Sequence, residues 1–134
     1  MSVIKIRAAL ETALTAISPP LATAWENTAY TPTAGTPYQR VSMLFEPPLN
    51  TEYGRGFQQG GMLVVALCWP QGDGMADLSA RIELLRAVFP SGAVFTADGL
   101  TTQVARTPLI LAAILEGDRY VVPVQVPFLA TITS

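Results

Sequence analysis

At 134 residues the chain can bury one core without disulfides or metal clips, whereas two domains would each be marginal, so residues 1–134 are expected to form a single domain. Only 13% of residues are charged, against roughly a quarter in an ordinary globular protein, which points to a surface partly hidden against a partner or covered by uncharged polar residues. The net charge of −2 and the scatter of Arg7, Arg40, Arg55, Arg81, Arg86, Arg106 and Arg119 leave no basic stripe, which argues against nucleic acid, and the absence of histidine removes most Ser-His and Cys-His mechanisms.

Ser2 is placed to cap a first helix in which Val3, Ile6, Leu10, Ala13 and Ile17 recur at steps of three and four, with Arg7 and Glu11 on the other side. Pro19-Pro20 ends it, because proline has no donor and pushes the preceding residue out of helical geometry. A short strand around Ala24-Trp25-Glu26 and an irregular Thr, Pro and Gly-rich loop follow. From Tyr38 to Phe45 the period changes to two, with Gln39, Val41, Met43 and Phe45 on the inner side of a half-buried strand.

Between Glu46 and Gly61 there is no apolar period, and the stretch reads as a long loop, mobile until assembly orders it; a strand starting near Phe57 with Gly60-Gly61 as a bulge is the alternative. Met62 to Trp69 is apolar on both alternating faces, as in a central strand covered on each side. It is the longest apolar run and far too short to cross a bilayer. No basic-then-apolar leader opens the chain, so no membrane is expected and the cytosol is the default. Cys68 lies inside that run, where buried packing suits it better than reactivity.

A turn at Gln71-Gly72-Asp73-Gly74 leads to a second helix with the stripe Met75, Leu78, Ile82, Leu85 and Phe89, and with Asp77, Arg81, Glu83 and Arg86 toward water. Then come strands over Ala93–Ala97 and Leu100–Arg106, joined across Asp98-Gly99, and over Leu109–Glu116 and Arg119–Ile132, joined across Gly117-Asp118. Tyr120, Val122, Val124, Val126, Phe128 and Ala130 share one face of the last strand. Pro123 and Pro127 share the other, and two missing donors on one side suggest an edge strand. The fold class is α+β: a mixed, mainly antiparallel sheet with two flanking helices on one face.

Chemistry is scarce. The acids Glu46, Glu52, Asp73, Asp77, Asp98, Glu116 and Asp118 are dispersed over turns and helix ends and offer no metal set. Gly72-Asp73-Gly74 lies between a strand and a helix, where a phosphate loop could sit, yet it lacks the third glycine and the lysine, and Asp73 would repel a phosphate. No cofactor is expected.

The succession of Ile6-Arg7-Ala8-Ala9-Leu10-Glu11, Ala24-Trp25-Glu26-Asn27, Gly35-Thr36-Pro37-Tyr38-Gln39-Arg40-Val41 and the run from Gly72 to Phe89 ending in Pro90-Ser91-Gly92 resembles the tail terminator proteins of long-tailed bacteriophages. The resemblance implies a non-enzymatic protein that joins copies of itself in a ring, usually of six, on the head-proximal end of the tail tube. There it would end tube polymerisation and offer a surface to the head completion protein. It would work in the host cytoplasm during assembly and remain in the virion tail. Another head-tail joining or tail completion protein, or a small-molecule-binding α+β enzyme, are the alternatives.

A ring needs two different patches on each subunit. The sequence offers Tyr53, Arg55 and Phe57 in the glycine-rich loop as one, and a sheet edge or the acidic turns with Asp73, Glu116 and Asp118 as the other, with Arg55 against an acid setting register.

Overall fold

The computed structural model describes residues 2–17, 21–26, 29–31, 35–50, 56–72, 74–97 and 99–132. Helix α1 spans Ser2–Thr15 and α2 spans Ala76–Val88. The strands are β1 (Thr23–Ala24), β2 (Tyr38–Phe45), β3 (Phe57–Pro70), β4 (Val94–Ala97), β5 (Leu100–Val104), β6 (Leu109–Ile110), β7 (Ile114–Glu116) and β8 (Arg119–Ile132). They form one sheet in the order β1-β2-β3-β8-β5-β4, with β6 and β7 also paired to β8. The β1–β2 pair is parallel and every other pair is antiparallel, so the expected α+β class with a mixed, mainly antiparallel sheet is what the chain adopts.

Both helices pack on the same face of this sheet. Ile6, Leu10, Leu14 and Ile17 of α1 and its following turn join Leu78, Ile82, Leu85 and Phe89 over Val41, Leu63, Val65, Leu67, Val104, Val124 and Val126 in one core. Each fully buried aliphatic side chain there contributes about 1.5–3 kcal/mol by leaving water. The α1 stripe differs from expectation at three positions: Ala9 and Leu14 are buried, while Val3 is 47% exposed. Val3 lies on the buried side of the helical wheel, so its exposure marks the end of the covered length of α1 and not the wrong face.

Helix α2 follows its expected stripe except at its start and at one flank. Met75 is the cap residue and is exposed. Arg81, expected in water, is 5% exposed because it flanks Leu78, Ile82 and Leu85 on the wheel; its stem is drawn in with them, and burial lowers its guanidinium pKa.

The stretch from Glu46 to Gly61 is not one loop. Strand β3 begins at Phe57 and pairs in unbroken register with both neighbours, so Gly60 and Gly61 form no bulge. Glu46 and Leu49 also bond back to Gly60 and Gln58. Gly61 stands between Phe45 and Phe128 in the register. Its missing Cβ leaves room for those rings to meet edge to face at 5.8 Å, and an added Cβ would run into the Leu44 carbonyl oxygen and the Phe128 ring.

A second correction concerns β8, which is an interior strand. It pairs with β3 from Phe57↔Ile132 to Pro70↔Arg119 on one side and with β5, β6 and β7 on the other. The carbonyls of Pro123 and Pro127 accept from the Leu111 and Ala105 amides, so both proline nitrogens face that second side. Pro127 falls between the β5 and β6 pairings, and Pro123 falls between β6 and β7. The missing donors thus coincide with breaks in the partner, and the expected Leu109–Glu116 strand appears as two short pieces.

Among the described residues the other face of the sheet carries no helix. Cys68 is fully buried there with Tyr38 and Val121, but Met62, Val64 and Ala66 are only half covered, so the expectation of full cover on both faces of β3 holds only at its Cys68 end.

Candidate interaction surfaces

On the helix-free face, Arg40 of β2 and Glu116 of β7 form a two-pronged ion pair, Nη1 to Oε1 at 3.2 Å and Nη2 to Oε2 at 2.9 Å. Between them lie β3 and β8, so the pair reaches across two strands and ties the short β7 to β2. The guanidinium holds the Glu116 carboxyl below the usual glutamate range. Beside this bridge Arg119 lies over the Tyr38 ring at 5.1 Å and donates to the Thr36 carbonyl. Burial pushes up the pKa values of both Tyr38 and Cys68, which favours the protonated thiol and phenol.

Of the six residues marked in the sequence, Tyr53, Arg55 and Asp73 lie outside the described residues. Phe57 is half-buried at the first position of β3, opposite Ile132. Glu116 and Asp118 are exposed at the β7–β8 turn, where Glu116 is engaged by Arg40 and Asp118 stands 4.0 Å from Arg119. The structure therefore brings two of the acids together at one end of the sheet, already balanced by cations of the same chain. Among the described residues no group of acids or cysteine could hold a metal ion.

Sequence reasoning passed over the stretch from Leu109 to Leu115. Residues 109–118 are all exposed, and Leu109, Ile110, Leu111, Ile114 and Leu115 range from 40% to 61% exposure. The signal was present as seven consecutive apolar residues, Leu-Ile-Leu-Ala-Ala-Ile-Leu, without any charge. Such a run reads as a buried strand by composition. Only the topology shows that it is a thin strap on the outer side of β8 with nothing beyond it among the described residues.

An exposed, uncharged apolar strap at a sheet edge, on a chain with little charge elsewhere, defines a protein built to be covered by other proteins. The chain belongs to the phage tail terminator protein family, whose sequence profile matches residues 5–128. It is a structural protein of the phage tail, a component that meets other tail or head proteins. One solved structure is similar to it over 100% of this chain and 99% of its own, with 27% identity and a TM-score of 0.81. No curated protein sequence matches it.

Proposed function

We propose that residues 1–134 act as one unit that forms a ring, of six subunits, capping the head-proximal end of the tail tube. The ring ends tube polymerisation and offers the joining surface to the head completion protein. The family match over residues 5–128 carries this reading, and the low charge and exposed apolar strap support it. Assembly takes place in the host cytoplasm, and the protein stays in the virion tail.

In this reading the ring contact is heterologous, with the segment holding Tyr53, Arg55 and Phe57 on one subunit against the acids Asp73, Glu116 and Asp118 on the next. Aromatic contacts supply most of the affinity, and Arg55 against an acid sets register. Glu116 would have to share its carboxylate between Arg40 and the neighbour, so Asp118, which is 78% exposed and only loosely paired, is the more available acid. The test is complementation of a phage lacking the protein with an Arg55→Glu variant that still folds, with tails scored by electron microscopy. Overlong or headless tails are the expected result; normal infectious particles would remove Arg55 from the interface.

A further inference from the structure

The chain that leaves β2 forms a stiff knuckle. The Glu46 amide donates to the Gly60 carbonyl at 3.0 Å, and Leu49 exchanges two bonds with Gln58, at 2.9 and 2.8 Å. Between these attachments Pro47 and Pro48 stand against the single residue Gln59, and the extra residue bends the chain away from β3. Neither proline has an amide to offer β3. The buried Gln59 side chain takes up the gap, donating through Nε2 to the carbonyls of Glu46 and Gly60 at 2.7 and 3.1 Å. Residues 46–50 are all exposed, Leu49 by 60%. An apolar Pro-Pro-Leu segment fixed in this way has little conformational freedom left to lose on binding.

Toward the other end of β2 lies a cleft of ≈ 440 Å³, lined by Trp25, Tyr30 and Tyr38 together with the small Ala24 and Ala66. The Tyr30 and Tyr38 rings stand 5.3 Å apart. The two charged residues of the cleft are engaged within the chain, Glu26 by Arg7 and by the Met43 amide, and Arg40 by Glu116. What is left for a ligand is aromatic and small uncharged surface, with donors on the Trp25 indole and the Tyr30 hydroxyl. Clefts of this chemistry take proline segments: the rings pack on flat pyrrolidines, and side-chain donors meet the carbonyls of a ligand whose proline nitrogens carry no hydrogen.

We propose that the Pro47-Pro48-Leu49 knuckle of one copy seats in this cleft on the next copy. The contact rests on the ring reading above and uses the same two regions. The knuckle leads into the segment with Tyr53 and Arg55. The cleft adjoins both acids, because its Arg40 holds Glu116, while Arg119, 4.0 Å from Asp118, lies over Tyr38. A copy cannot fill its own cleft. The knuckle is bonded to Gln58 and the cleft lies at Ala66, eight residues further along β3, roughly 26 Å by strand rise. Knuckle and cleft are different surfaces, so each copy gives one and receives one, the head-to-tail arrangement that a closed ring requires. An uncharged knuckle also leaves both ion pairs of the cleft intact.

The experiment is cross-linking, with a short bis-maleimide, of tails complemented by an Ala24→Cys, Asn50→Cys double variant, alongside electron micrographs of the same tails. A ladder of copies running up to the closed ring is expected, and it should be missing from either single variant and from the parent, whose Cys68 is buried. Tyr30→Ala, at a ring 38% exposed, should keep the thermal midpoint of the purified chain while lowering the titre of complemented particles at least about tenfold; Tyr30→Phe should retain most of that titre. A ring visible at the tail end without cross-links would overturn this contact and leave the ring reading standing. Cross-links that stop at the dimer would overturn it in favour of a two-fold pair, and tails with no ring would overturn both.

Discussion

Arg40 and Glu116 are 76 residues apart in sequence, yet their side chains meet in a two-pronged pair that joins the β2 side of the sheet to the β7 strap. Both side chains are more than 40% exposed, so solvent screening keeps the contribution to stability small, about 0.5 kcal/mol.

The pH dependence of that contribution has a definite sign. The Glu116 pKa is lowered in the folded chain, by its hydrogen bonds to Arg40 before any other cause. The stabilisation is therefore complete above the ordinary glutamate value of about 4.3 and is lost as pH falls through the lower folded value. Urea titrations should show Glu116→Gln slightly less stable than the parent at pH 7 and equal to it near pH 2. A gap that persists unchanged in acid would mean that the pair contributes nothing electrostatic.

Glycines 60 and 61 are adjacent in β3 and should respond oppositely to alanine. At Gly61 an added Cβ meets a backbone carbonyl that cannot turn aside, so Gly61→Ala should cost about 3 kcal/mol or more and disturb the Phe45–Phe128 contact. At Gly60 the nearest atom is the movable Glu46 Oε2 at 3.5 Å, so Gly60→Ala should be neutral or stabilise by up to ~1 kcal/mol through the unfolded chain. Thermal midpoints of the two variants settle the contrast; equal losses would mean that the register of β3 against β2 and β8 is not as described.

Cys68 is fully buried, and desolvation raises its thiol pKa. A disulfide reagent should label it at least about a hundredfold more slowly in the native chain than in denaturant, because reaction waits for the sheet to open. Fast labelling of the folded protein, with a depressed thiol pKa, would restore an enzymatic reading.

Local pattern alone determined much of this fold. Strand β2 is legible to the residue because period-two burial needs no knowledge of the partner strand, and the turn at Gly99 is legible because its φ of 85° suits glycine. The inner face of β8, from Tyr120 to Ala130, follows from the same alternation. What the pattern could not supply was who lies beside whom. Pro123 and Pro127 were read as the mark of an edge, since a missing donor identifies the side it faces but not whether a broken partner stands there. Gly60 and Gly61 gave no strand signal, because their place in β3 rests on pairing with β2 and β8 and not on any side chain of their own. The strap from Leu109 to Leu115 shows the limit most plainly: an apolar run states that a segment seeks cover, and only the tertiary structure decides whether its own chain provides it or leaves it for a partner.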